Sequence, residues 1–216
     1  MKQKIVEEML DILKSQFEGV NEKSGYSYRY YHSLRVYQNC LKLIKMDWLK
    51  EMKFDKDALI VASIFHDIGK IKRINDKREI VGSEEDGTPH DILGEQIVGD
   101  FIGDLFEIEF VDKVARIIGG HHGRNQTEFE SKILHDADIL DNQGVLTIWR
   151  NIAFSTQERR SIIDMLNYWK NGAREKAINK LNDFYFDQIK EIAKKRFEKI
   201  DELYRNLELE QNSEDY

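Results

Sequence analysis

Proline occurs once in these 216 residues, at Pro89, and cysteine once, at Cys40. Without further prolines to interrupt it, and with charged residues at 34%, the chain favours helix and leaves little or no room for sheet. A single cysteine excludes an internal disulfide and fits a reducing compartment, so the cytoplasm is the expected location. Long apolar runs are also missing. No stretch approaches the ~20 apolar residues that span a bilayer, and Met1-Lys2-Gln3-Lys4 leads into an amphipathic pattern rather than a signal-peptide core. Basic blocks are absent as well. With 33 Lys and Arg against 40 Asp and Glu, the net charge of −7 disfavours binding to duplex nucleic acid. A small anionic substrate would need a local positive site, made by a metal ion or by individual Lys and Arg. The length suits one domain, residues 1–216, as a monomer or homodimer.

What the chain does contain is an almost wholly apolar segment, Ala58 to Phe65, that runs into His66-Asp67. In a helix this run leaves no polar face, so it is buried on all sides and the pair stands where water is scarce. A carboxylate there takes up a proton or finds a partner. Imidazole with carboxylate suits a divalent metal, and Gly69 is placed to end the helix so that both side chains reach one ion. A His and Asp bonded to each other or to backbone groups is the alternative.

Other polar intrusions follow the same logic. Residues 3 to 17 form an amphipathic helix through Ile5, Met9, Leu13 and Phe17. After a polar connection from Gly19 to Ser27, His32, Val36, Cys40 and Leu43 share the buried face of a second helix, with Arg35 nearby. Asp55 is placed to cap the apolar helix. Ile71 to Gly87 is charged and aperiodic and reads as a long exposed loop, a candidate lid over the site. Thr88-Pro89-His90-Asp91 is a helix start, with Thr88 as N-cap, Pro89 at the first helical position and Asp91 in the first turn. A further helix through Val111, Val114 and Ile118 stops at Gly119-Gly120, just before His121 and His122. In Ile133 to Gly144, His135, Asp136, Asp138 and Asp141 interrupt an apolar pattern, and spacing alone does not choose among the three acids. Val145 to Phe154 is apolar except for Thr147, Arg150 and Asn151, so Arg150 requires a counter-charge or a ligand. From about Ser161 the chain is helical, with an apolar stripe through Ile189, Phe197, Ile200 and Tyr204.

In order, His32, His66-Asp67, His90, His121-His122 and Asp138 use five of the six histidines. This order resembles the HD-domain superfamily of metal-dependent phosphohydrolases over roughly residues 28 to 150. The resemblance is carried by His32-Ser33-Leu34-Arg35-Val36, Phe65-His66-Asp67-Ile68-Gly69-Lys70 and the segment Ile133 to Asp141. It implies an all-α helical bundle with packing helices over about 155–210, including a long C-terminal one. It also implies one divalent metal (Mn, Co, Fe, Ni, Mg or Zn) held by His32, His66, Asp67 and Asp138. Asp138 is chosen because the family's last ligand follows a small residue, as Asp138 follows Ala137. His90 and His121 match positions that hold a second metal in two-metal members and handle phosphate in one-metal relatives. The implied activity is hydrolysis of a phosphoester or phosphoanhydride of a nucleotide or similar small phosphorylated molecule by metal-activated water. Asp67, Lys70 and Arg35 are its catalytic candidates, and Lys70, Arg35, Arg150, His90 and His121 its substrate-binding candidates. A phosphodiesterase, a dinucleoside-polyphosphate hydrolase and a non-catalytic metal-binding regulatory domain are the alternatives. The segment from His66 to Lys70 lacks the acidic pair of guanosine-tetraphosphate hydrolases, and Gly123-Arg124-Asn125-Gln126 lacks the Gly-Tyr-Pro signature of cyclic-di-GMP phosphodiesterases.

Overall fold

The computed structural model describes residues 1–82, 87–123 and 126–215. Among these the chain forms twelve α-helices. They are α1 (Gln3–Phe17), α2 (Tyr28–Leu43), α3 (Asp47–Lys50), α4 (Lys56–Phe65), α5 (His90–Ile97) and α6 (Gly99–Ile102), then α7 (Ile108–Gly120), α8 (Phe129–Asp141), α9 (Leu146–Gln157), α10 (Ile162–Tyr168), α11 (Arg174–Lys180) and α12 (Asp187–Asn212). The described sheet is limited to the two-residue strands β1 (Asn21–Glu22) and β2 (Gly25–Tyr26), so the fold is all-α as its composition predicts. No described helix is long and apolar enough to cross a membrane. Backbone contacts group the chain into two compact units, Met1–Glu22 with Tyr26–Asp138, and Lys23–Gly25 with Ile139–Tyr216.

In the first unit α4 is the central helix. Seven of its ten residues, Ala58, Leu59 and Val61 to Phe65, are fully buried, and α1, α2 and α7 pack around it. Asp55 caps it by accepting from the Ala58 N–H at 2.9 Å. Burial of a Leu or Ile here contributes about 1.5–3 kcal/mol, which anchors the His66-Asp67 pair at the helix end. Each neighbour meets α4 with a stripe at helical spacing: Met9, Leu13 and Phe17 on α1, Val36, Cys40 and Leu43 on α2, and Val114, Ile117 and Ile118 on α7. Burial pushes the Cys40 thiol up to about 12, so it packs as a small apolar group.

Three local expectations are corrected. The α4 helix ends at Phe65, before Gly69, and the chain continues as a 3₁₀ helix over Ile68–Arg73. The glycine at 69 serves a close approach instead. A Cβ there would stand 2.0 Å from the His90 carbonyl oxygen and 2.6 Å from the Gly94 nitrogen, so this 3₁₀ helix and α5 touch backbone to backbone. The cap of α5 is Pro89 rather than Thr88, whose carbonyl instead accepts from Arg73 at 3.1 Å. Finally, the charged segment after Lys70 is not irregular from its start. The 3₁₀ helix leads into an antiparallel bridge between Ile74 and Ile80, closed by a turn in which Asn75 Oδ1 accepts from the N–H groups of Lys77 and Glu79. Arg78 is spent on backbone, donating to the carbonyls of Gln16 at 3.1 Å and Glu18 at 2.7 Å. Residues 83–86 of the candidate lid lie outside the described residues.

In the second unit, Met165, Leu166 and Trp169 pack against Phe197, Ile200 and Tyr204 of the long helix α12, as the predicted C-terminal stripe requires. Helix continuity from Ser161 is interrupted at Asn171 and Gly172 and again between Leu181 and Phe186.

Candidate metal centre

Five elements of the first unit deliver the site. His32 lies on the buried face of α2, His66 and Asp67 follow α4, His90 opens α5, and Asp138 lies on α8. His121 and His122 follow the end of α7, where Gly119 and Gly120 let it lie against α5 and α8.

The geometry gives two groups that share an edge. In the first, the ligand atoms of His32, His66 and Asp138 all lie within 4.8 Å of one another. His32 Nε2 is 3.2 Å from His66 Nε2 and 3.1 Å from Asp138 Oδ1, while Asp67 Oδ2 stands 3.5 Å from both imidazole nitrogens. The second group is His90, His121 and His122, with His122 Nε2 2.9 Å from His90 Nε2. Asp67 joins them, because its other oxygen, Oδ1, is 3.0 Å from His90 Nε2.

Backbone carbonyls set the tautomers. Ser63 O faces His66 Nδ1 at 3.0 Å and Ile118 O faces His121 Nδ1 at 2.6 Å; a carbonyl only accepts, so in each ring Nδ1 holds the proton and Nε2 offers its lone pair. Among the described residues, His121 Nε2 is buried with no hydrogen-bond partner. A buried lone pair without a donor, and two Nε2 atoms 3.2 Å apart beside carboxylate oxygens, fit a bound cation and leave a neutral core poorly satisfied. The donor set of imidazole nitrogens with carboxylate oxygens suits a divalent first-row metal.

Charge follows the same pattern. Burial lowers the pKa of His66 and, together with neighbouring His122, His66 and His90, holds His121 well below the ordinary imidazole range. Burial and His90 bring His122 down to about 4. All three imidazoles are therefore neutral at physiological pH, the form that binds metal. Burial opposes ionisation of Asp67, but Arg29, Lys70 and His66 outweigh it and hold this carboxyl well below its usual range. Asp138 behaves likewise through the hydrogen bond and charge of His32.

Of the remaining predicted residues, Lys70 is brought to the site, with Nζ 3.8 Å from Asp67 Oδ1. Arg35 lies 5.5 Å over the Tyr28 ring, which stacks on His32. Arg150 belongs to the second unit, where it donates to Asn142 Oδ1. Sequence reasoning missed Arg29 and Glu22. Arg29 is buried between two carboxylates, with Nη1 2.5 Å from Asp67 Oδ2 and Nη2 2.8 Å from Glu22 Oε2. Its signal was present, since Arg29 precedes His32 by three residues and so shares its helix face. Glu22 reaches it through the β1 turn, which no periodicity encodes.

A helical fold that gathers separated histidines, a His-Asp pair and a distal aspartate into one buried cluster defines the class. The HD domain family model matches residues 29–143, more than half of the chain, and the chain belongs to this family. Its fold is similar to that of an HD-superfamily hydrolase from Bacillus thuringiensis, with a TM-score of 0.66 at 18% identity over 98% of this chain and 99% of that one. It is also similar to Bacillus subtilis YpgQ, solved in complex with ADP, with a TM-score of 0.62 at 18% identity over 93% and 97% of the two chains. The Lin1889 protein of Listeria innocua gives a TM-score of 0.60 at 17% identity over 98% of each chain. No curated protein matches by sequence comparison.

Proposed function

We propose that this chain is a metal-dependent phosphohydrolase acting on a nucleotide or similar small phosphorylated molecule, with His32, His66, Asp67 and Asp138 as ligands of one divalent metal. The observation that carries the reading is the convergence of His66 Nε2, His32 Nε2 and the two buried carboxylates, with the His66 ring proton turned away to the Ser63 carbonyl. A divalent cation bound there would acidify a water and polarise a phosphoryl oxygen. The chain's own residues supply orientation. Asp67 spans both groups through its two oxygens and can accept a hydrogen bond from an attacking water. Lys70 offers a charge beside Asp67 for a phosphoryl oxygen, and Arg35 stands next to the Tyr28–His32 stack. His90 and His121, with His122, line the side where a second cation or the phosphate would sit. The nucleotide class is supported by the YpgQ relative solved with ADP. A single buried cysteine is consistent with work in the cytoplasm.

The test is turnover of a nucleotide panel with Mn²⁺, Co²⁺ and Mg²⁺ supplied in turn, alongside elemental analysis of the purified protein. Release of phosphate or pyrophosphate that needs the metal and disappears in His66→Ala is expected. A well-folded protein that binds none of these ions would overturn the reading.

A further inference from the structure

The second unit contains a cavity of about 400 Å³ that the metal centre does not use. Helix α9 contributes Arg150 and, one turn on, Phe154. Tyr168 at the end of α10, Trp169 in the following turn and Lys176 on α11 form other walls, and Lys23 stands at the edge. The lining includes three cations and three aromatic rings but no carboxylate, in a chain whose net charge is −7. That local reversal of sign is the opposite of what a random part of this surface would present.

The cavity has a built wall. After α10 the chain passes through a single π turn, Trp169–Ala173, in which Asn171 and Gly172 leave helical geometry, and Gly172 has φ +133°. A Cβ on Gly172 would meet nothing within 4 Å, so it is this backbone conformation, and not packing, that calls for glycine there. The break lets Trp169 and Ala173, on either side of it, both line the cavity. Single π turns of this kind recur at functional sites. Trp169 is fixed by stacking on Tyr204, with ring centroids 4.3 Å apart and planes within 6°, whereas Tyr168 is half exposed. The Phe154 ring already attracts cations, with Lys23 at 5.8 Å and Arg160 at 4.9 Å. Arg150 is oriented by a hydrogen bond that it donates to Asn142 Oδ1. The Lys23–Glu158 pair, at 3.9 Å between exposed groups, holds Lys23 only weakly.

From these features we infer that this cavity is a separate binding site for a planar aromatic anion of the nucleoside phosphate class. Its phosphates would pair with Arg150, Lys176 and Lys23, and its base would lie against the aromatic walls. The volume falls in the range of small-ligand sites. Charge-assisted bonds to phosphate combined with ring contact are what distinguish such a ligand from inorganic phosphate or a free nucleoside.

The experiment is calorimetric titration of ADP, adenosine and pyrophosphate into the full chain in excess chelator, so that the metal reading and this one fail separately. ADP is expected to bind, and adenosine and pyrophosphate to bind about tenfold or more weakly. The charge reversal Lys176→Glu, at an exposed position, is expected to weaken ADP at least tenfold with unchanged helical circular dichroism, and Arg150→Ala to do the same. His32→Ala with His66→Ala is expected to leave ADP affinity within about twofold, because no metal ligand lines the cavity. Absence of ADP binding in chelator, insensitivity to Lys176→Glu, or equal affinity for ADP and pyrophosphate would each overturn the inference.

Discussion

Arg29 Nη1 donates to Asp67 Oδ2 at 2.5 Å, so a fixed cation already occupies one side of the carboxylate that bridges the two histidine groups. The same guanidinium holds Glu22 at 2.8 Å, and all three side chains are largely buried. Burial alone would lower the Arg29 pKa, but the two carboxylates raise it, and the charge is permanent. Removal of Arg29 leaves two buried acids without their cation. We expect Arg29→Ala to cost about 3–5 kcal/mol of stability, and Arg29→Lys to cost less because it keeps the charge and loses the fork. Urea unfolding of the two variants checks this; equal stability of Arg29→Ala and the parent would mean that the bridge contributes nothing.

Asp136 and Asp138 are both buried on α8, yet the Asp138 carboxylate is the one 3.1 Å from His32. Asp138→Ala should therefore lower bound metal at least tenfold by elemental analysis, whereas Asp136→Ala should retain it and lose stability instead. The opposite pattern would reassign the ligand.

Gly69 lies where the 3₁₀ helix and α5 touch. With its hypothetical Cβ 2.0 Å from a backbone oxygen, Gly69→Ala must push two backbones apart, at a cost of about 3 kcal/mol or more. Gly87 is the control, since a Cβ there meets nothing within 4 Å. Thermal unfolding of both alanine variants distinguishes them, and a Gly69→Ala protein as stable as Gly87→Ala would disprove the contact.

Asp201 accepts two hydrogen bonds from Arg174, at 2.7 and 2.9 Å. That bonding, with the Arg174 charge, outweighs partial burial and lowers the Asp201 pKa below its ordinary 3.8. A depressed carboxyl contributes stability above its unfolded pKa and loses it as pH falls through the folded value. Both groups are partly exposed, so solvent screening limits the pair to about 0.5 kcal/mol. Asp201→Asn should lower the melting temperature by about 1–2 °C at pH 7, and the difference should shrink as pH falls below about 4. A constant difference across that range would rule out an electrostatic origin.

The helices were legible because their signal is local. Apolar residues at three- and four-residue steps mark α1, α2 and α7, the unbroken run from Ala58 marks α4, and Asp55 caps it where its position says it should. The candidate ligands were legible for a related reason: a histidine or aspartate inside such a stripe is a polar group that burial penalises, so His32, His66-Asp67 and the trio Asp136, Asp138 and Asp141 stand out before any coordinate is known. Spacing could not choose Asp138 over Asp136 and Asp141; resemblance chose it, and its 3.1 Å approach to His32 is a tertiary fact. Other features depend on where distant segments meet. Glu22, Arg29 and Asp67 come together across a turn, a helix and a helix end, and no repeat in the chain encodes that meeting. Gly69 looked like a helix stop and proved to be a point of backbone contact, and the charged segment after Lys70 gained its order from a bridge and from carbonyls on α1 and just beyond it. Sequence alone determined which residues must be buried, because hydrophobic periodicity acts within a single helix. Tertiary structure decided which buried polar groups face one another, because ion pairs and lone pairs are satisfied between helices and their partners are fixed only when those helices pack.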